Sequence, residues 1–129
     1  MERAVQIFAV IHLLTMGLSH IVAPRAWAEF FVDLRERGDR GVFVVGFMSL
    51  GFGSIVAAFH PVWSGIPLVL TLLGWAQVVK AFTYFLWPSW ALRRMALVSV
   101  ERSRLFVPAG VALCAIAGLL IYHLAVTSA

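Results

Sequence analysis

The chain has 129 residues, of which 62% are hydrophobic and 12% charged, and its formal net charge is +4. Its mean hydropathy of +0.95 excludes an ordinary soluble domain, which is about 45–50% apolar and 25% charged. In so apolar a chain, excess cations are typical of contact with lipid headgroups. We therefore expect membrane lipids, and not nucleic acid, as partners.

Four apolar stretches alternate with more polar segments, and each is about long enough to cross a hydrocarbon core of about 30 Å. They cover residues 4–23, 41–60, 66–87 and 105–125. The first exceeds the 7–15 residues of a secretory signal's apolar region, so we interpret it as a retained span. The sequence predicts an all-α membrane protein in which residues 1–129 form one domain of four transmembrane helices.

The distribution of cations predicts the orientation of these spans. Eight of the ten arginines and lysines lie in residues 23–41 and 88–104, the two connections at one end of the bundle. The other end, which also holds both chain termini, carries only Arg3. Because loops rich in arginine and lysine stay in the cytoplasm, we predict a multi-pass protein of the bacterial inner (plasma) membrane with both termini in the periplasm.

The two arginine-rich connections have features of short interfacial helices. Pro24 suits the first turn of a helix, and apolar residues recur after it at helical spacing with charged residues between them. These apolar residues are Trp27, Phe30, Phe31 and Leu34. We predict an amphipathic helix at the cytoplasmic interface after the first span, and a shorter one after the third.

Small residues predict where the spans pack, because helices in lipid associate through close backbone approach. Two stripes of small residues with four-residue spacing are Ser49, Gly53 and Ala57 in the second span and Gly110, Cys114 and Gly118 in the fourth. We expect both stripes to face the bundle interior. Replacement of Gly53 or Gly118 by leucine should then disrupt the bundle.

Lys80 is the one cation inside a span, where a lysine costs roughly 2.5–3.5 kcal/mol on insertion scales. Gln77 and Tyr84 share its helix face, and His12 of the first span lies at a similar depth. One interpretation is that Lys80 snorkels to the headgroups. The other is a polar seam between the first and third helices that binds a lipid-like or quinone-like ligand through His12, Gln77, Lys80 and Tyr84.

No residue pattern predicts catalysis or a cofactor. His60 and His123 each lie near the end of a span, on the side of the bundle that holds both chain termini. No further ligand accompanies them, so we expect no metal or haem. All six acids lie outside the spans, which argues against a small proton-coupled multidrug exporter. No nucleophile is accompanied by a base at recognisable spacing, and Cys114 has no partner for a disulfide.

Two segments carry a resemblance to known membrane proteins. Residues 17–24 resemble the G-x-x-H-x-x-x-P motif of DoxX-like small membrane proteins. The H-x-x-W at His60 and the T-x-x-G-W-x-x-x-x-K from Thr71 to Lys80 resemble uncharacterised bacterial four-helix proteins. This resemblance implies a four-helix inner-membrane protein with no established reaction. We expect a non-enzymatic accessory or assembly-forming protein, such as a homo-oligomer; the alternative is binding or transport of the amphiphilic ligand.

Overall fold

A computed structural model describes residues 1–128, which are almost entirely helical. The helices are α1 (Glu2–Val22), α2 (Pro24–Glu36), α3 (Asp39–Phe59), α4 (Leu68–Leu86), α5 (Pro88–Met95), a 3-10 segment (Val100–Leu105) and α6 (Phe106–Ser128). Four of them, α1, α3, α4 and α6 with its preceding 3-10 segment, are long and apolar enough to cross a membrane. The predicted all-α fold is confirmed, with four helices that are long and apolar enough to cross a membrane, and the helix ends lie close to those expected.

Prolines determine where α1 and α4 end. The residue before a proline is disfavoured in the α conformation, and Ala23 (φ −129°, ψ 55°) and Trp87 (φ −129°, ψ 66°) both leave it. A new helix begins directly at Pro24 and at Pro88, since proline is tolerated in the first turn. The chain therefore turns twice in the same way, from a long helix into a short one.

The two halves of the chain repeat one arrangement: a long helix, a proline bend, a short helix and a second long helix. When the two halves of the sequence are aligned so that Pro24 matches Pro88, Gly46 matches Gly110. A Cβ on Gly46 would lie 2.9 Å from the Phe85 ring. A Cβ on Gly110 would lie 3.0 Å from Cγ1 of Ile21, and the same alignment matches Ile21 with Phe85. The two halves therefore repeat one contact, between a glycine of one half and an apolar side chain of the other.

Each close helix pair combines one helix from each half. α1 packs along α6 and α3 along α4, and glycines permit both approaches. A Cβ on Gly17 would lie 2.8 Å from the carbonyl oxygen of Gly110 and 2.6 Å from Cys114 Sγ. A Cβ on Gly53 would lie 2.8 Å from the carbonyl oxygen of Gly74. Such short separations leave no room for a side chain at these crossings.

The two predicted stripes of small residues differ in whether their residues face the bundle interior. Ser49 is buried and Ala57 half-buried, and the backbone nitrogen of Ala57 would lie 3.5 Å from a Cβ on Gly74. Gly118 does not face inward: it is exposed, and a Cβ there would have no atom within 4 Å. The expectation for Gly118 was wrong because successive four-residue steps rotate around a helix of 3.6 residues per turn.

Two apolar clusters fill the bundle at different levels. The first joins all four long helices towards the end that holds the termini, through Val5, Ala9, Leu13, Phe52, Val56, Leu70, Ala117 and Leu120. The second lies at the opposite end and comprises Leu34, Val42, Val45, Ala91 and Met95. We call these levels the terminal end and the arginine-rich end. A cavity lies between the two clusters.

Hydrogen bonds link distant segments at both ends. At the terminal end Arg3 Nη2 donates to Ser128 Oγ at 2.6 Å, so the first and last helical turns lie side by side. At the arginine-rich end Arg35 Nη1 donates to the backbone oxygens of Ala96 (3.4 Å) and Val98 (3.2 Å). The side chain of Arg35 thereby fixes α2 to the segment that follows α5.

Candidate ligand cavity

A cavity of about 200 Å³ lies between the two helix pairs, and we call it the central cavity. Most of its wall is apolar, including Leu13, Met16, Val45 and Phe52. The side chains with polar atoms in its lining are His12, His20, Trp27, Ser49, Gln77 and Lys80. A small set of polar groups in a largely apolar wall is the usual composition of a ligand pocket.

Three of the four predicted ligand-binding residues line this cavity. His12 lies on one side, and Gln77 and Lys80 lie on the α4 side. Among the described residues α1 packs mainly along α6, and α1 and α4 form no extensive contact. The predicted seam is therefore not a packed interface: its residues occupy separate walls of a cavity.

Tyr84 lies outside the cavity lining, one turn beyond Lys80. It packs against the second apolar cluster, and Lys80 Nζ lies 5.5 Å from the centroid of its ring. A cation at this distance from an aromatic face gains about 0.5–2 kcal/mol, depending on desolvation. Tyr84 therefore supports the lysine head rather than the contents of the cavity.

His12 is held by aromatic neighbours. Its ring stacks on Phe52 with a centroid separation of 4.7 Å and an interplanar angle of 29°, and Phe8 lies 5.9 Å away. These contacts join α1 to α3 at the boundary between the first apolar cluster and the cavity. The stacking limits the orientations of the imidazole, so its polar edge has a defined position in the wall.

His20 is a cavity residue that sequence reasoning did not include in the site. Its Nδ1 lies 2.6 Å from the backbone oxygen of Met16; because a carbonyl only accepts hydrogen bonds, Nδ1 carries the proton. In the neutral ring Nε2 is then an acceptor. The ring stacks on Trp27 at 4.3 Å, and Trp27 Nε1 donates to Ser19 Oγ at 2.8 Å. The available signal was Pro24, which folds α2 back against α1.

Corresponding positions of α1 and α4 form two walls of the cavity, and these positions differ in polarity. The same alignment of the two halves matches Leu13 with Gln77 and Met16 with Lys80, and all four residues line the cavity. The α1 wall is thus apolar where the α4 wall carries an amide and an ammonium. A molecule in the cavity therefore meets an amide and an ammonium at positions of α4 where α1 offers only apolar side chains.

Met48 is the one exposed residue of the cavity lining, with 44% of its surface accessible. Towards the arginine-rich end, Trp27 and Phe31 of α2 close it. Towards the terminal end it is bounded by the stacked His12 and Phe52. The lining is therefore most accessible on the side of the bundle, at α3.

A second polar cluster lies at the terminal end, with His60 at its centre. Gln6 Nε2 lies 3.0 Å from His60 Nε2, and Thr71 Oγ1 lies 3.0 Å from His60 Nδ1. Thr71 Oγ1 also donates to the backbone oxygen of Val62 at 2.7 Å, so it accepts its bond from Nδ1–H. The imidazole is therefore neutral, and its Nε2 accepts from the Gln6 amide. The cluster joins α1, α3 and α4 as a structural clamp.

The surroundings of His60 act on its charge. Burial lowers the pKa of this imidazole, Glu2 acts in the opposite direction, and His123 lowers the pKa further. Within residues 1–128, no group of three or more His, Cys, Asp or Glu side chains is placed to hold a metal ion.

Comparison of the chain with models of known protein families, with curated proteins and with solved structures finds no match. The resemblance to DoxX-like proteins therefore stays a prediction. Any functional conclusion must rest on the cavity and on the distribution of charge around it.

Proposed function

We propose that this chain is a multi-pass inner-membrane protein that binds a lipid-like amphiphile in its central cavity. The observation that carries the proposal is the position of Lys80. It lines the cavity and is only partly exposed, inside a helix long and apolar enough to span a membrane. A cation at such depth is expensive unless it meets a compensating group.

The chain itself provides only a weak partner for Lys80. The two salt bridges within residues 1–128 are Arg25–Glu29 and Arg37–Asp33, both on the exposed face of α2. The ring of Tyr84 is the aromatic partner of Lys80. An anionic or strongly accepting head in the cavity would complete its coordination, while the apolar walls would hold the rest of an amphiphile.

The same proposal includes the orientation in the membrane. The arginine-rich end would be cytoplasmic by the excess of cations, and α2 and α5 would lie in that interface. Supporting this, Arg25 and Glu29 of α2 are exposed while Ala28 and Leu34 are buried. Exposed tryptophans at that end, Trp87 and Trp90, have the position expected of interfacial anchors.

A non-enzymatic accessory or assembly role is the second candidate, and one observation favours it. A Cβ on Gly51 or Gly118 would meet no atom within 4 Å, so these outward surfaces are open to another helix. Close approach at small residues is a common mode of helix association in lipid. In this case oligomers would form without a ligand.

Native mass spectrometry of protein purified in mild detergent tests the two candidates. Ligand binding predicts a stoichiometric co-purified amphiphile, lipid-like or quinone-like, that is lost in Lys80→Met and retained in the control Arg102→Met. Arg102 is an exposed cation outside the cavity lining. A ligand-free oligomer would reject the first candidate in favour of the second, and equal loss in both variants would show that the lipid follows overall charge.

A further inference from the structure

The central cavity contains one full charge of one sign. Lys80 is its one lysine, it contains no arginine, and no Asp or Glu belongs to its lining. The other polar side chains of the lining are His12, His20, Trp27, Ser49 and Gln77. In an environment of low dielectric the best complement to one ammonium is one negative charge.

The size of the cavity restricts what bears that charge. At about 200 Å³ it is somewhat larger than the roughly 150 Å³ that accommodates benzene and smaller than the roughly 300–1,000 Å³ of pockets for drug-sized molecules. It holds a small head and the first few carbons of a chain. The head of a diacyl phospholipid, with its glycerol and two chains, exceeds this space.

From this charge and size we propose that the ligand is a single-chain carboxylate of the fatty-acid class, bound with its carboxylate on the α4 wall. The proposal rests on the function proposed above and specifies its ligand. The Lys80 ammonium and the Gln77 amide are the two donors of that wall. The alkyl chain lies along Leu13 and Met16 of α1 and leaves the cavity beside the exposed Met48.

The opposite wall disfavours the reverse orientation. Leu13 and Met16 occupy the positions that correspond to Gln77 and Lys80 and offer no donor. The Nδ1–H of His20 is occupied by the Met16 carbonyl, so in the neutral ring Nε2 presents a lone pair. Beside Leu13, Met16 and Nε2 of His20 a carboxylate would find no hydrogen-bond donor, whereas at the α4 wall it faces two.

Binding of radiolabelled decanoate to protein in phosphatidylcholine nanodiscs, above binding to empty nanodiscs, tests the ligand class. 1-Decanol has the same chain with an uncharged head, and dioleoyl phosphatidylglycerol supplies an anionic head on two chains. We expect decanoate to bind at least about tenfold more tightly than decanol, a difference of about 1.4 kcal/mol. Phosphatidylglycerol should not displace it.

Variants of Lys80 and of the two walls test the orientation. Lys80→Met should reduce decanoate binding to the level of decanol, and Lys80→Arg should retain the preference. A transposed protein with Leu13→Gln, Met16→Lys, Gln77→Leu and Lys80→Met should recover it, because corresponding positions of α1 and α4 line the same cavity. If this fourfold variant does not fold, the exchange of Met16→Lys with Lys80→Met is measured in its place.

The outcomes separate this inference from the proposed function. Equal binding of decanol and decanoate, or displacement by phosphatidylglycerol, would overturn the carboxylate class while amphiphile binding stands. A folded transposed protein without the preference would overturn the assigned orientation. Failure of the protein to bind any of the three amphiphiles, together with no co-purified amphiphile in native mass spectra, would reject the proposed function itself.

Discussion

The side-chain nitrogen of Gln6 lies 3.0 Å from Nε2 of His60, an imidazole with no exposed surface. This bond joins the first turns of α1 to the residue that ends α3, and Thr71 extends it to α4. The direction of each hydrogen bond is defined, because Thr71 donates to a backbone carbonyl and Gln6 donates to Nε2. A proton added at Nε2 would face the Gln6 amide nitrogen, which is itself a donor.

We predict that acid destabilises the bundle through His60. Burial lowers its pKa in the folded protein relative to about 6.5 in the unfolded chain, so the unfolded chain binds the proton first. The contribution is complete above about pH 6.5 and is lost as the pH falls through the lowered folded value, by up to about 1.4 kcal/mol per pH unit. Thermal unfolding in detergent from pH 8 to pH 5 measures it.

His60→Gln, which does not titrate, should flatten this pH dependence, whereas His123→Gln should change it only slightly. A parent protein more stable at pH 5 than at pH 7.5 would contradict the assignment of a neutral His60. An unchanged slope in His60→Gln would attribute the pH dependence to other groups.

Gly53 and Gly118 form a matched pair for helix packing. A Cβ at Gly53 would approach the carbonyl oxygen of Gly74 and the nitrogen of Val78 at 2.8 Å each, whereas Gly118 is open. Gly53→Leu should lower the free energy of unfolding by about 1–3 kcal/mol or more through overpacking. Gly118→Leu should be tolerated. Equal stability of the two variants in detergent would show that α3 and α4 do not cross at Gly53.

A double-mutant cycle between His12 and Lys80 tests whether they form a direct seam. The two residues lie on separate walls of the central cavity, so in delipidated protein the effects of His12→Leu and Lys80→Met should add to within about 0.3–0.5 kcal/mol. Chemical unfolding of the parent, both single variants and the double variant measures this. A coupling above about 1 kcal/mol would place the two side chains in contact.

Met48, the exposed residue of the cavity lining, should control access to the central cavity. Met48→Trp adds bulk at a lining residue that is also exposed, and should reduce co-purified amphiphile by about tenfold or more in native mass spectra. Leu50→Trp is the control, since Leu50 is exposed but lies outside the lining. Full occupancy in Met48→Trp would mean that the ligand enters elsewhere.

The helices and part of the site could be predicted from the sequence for simple reasons. Apolar length determines the spans, and proline determines the ends of α1 and α4. His12, Gln77 and Lys80 reach one cavity because depth and helical spacing already placed them at similar levels. Tyr84 shares their stripe, but one further turn moves it into the second apolar cluster.

What the sequence could not predict depends on rotation and on long-range pairing. Gly110 and Gly118 are eight residues apart, which rotates them by about 80° around an ideal helix; Ala117, seven residues from Gly110, stays on the buried face. The repeat of the two halves is weak in the sequence because corresponding positions such as Met16 and Lys80 differ in chemistry. Its visible trace is limited to positions such as Pro24 with Pro88 and Gly46 with Gly110.

The pairing of helices across the two halves also has a consequence for biogenesis. The partner of α3 is α4, which follows after a short connection, so this hairpin can close as soon as both helices are in the bilayer. The partner of α1 is α6, at the far end of the chain. During synthesis α1 therefore remains in the lipid without its partner helix, and Gly17 stays unpacked until α6 is inserted. The central cavity can form only at that final step.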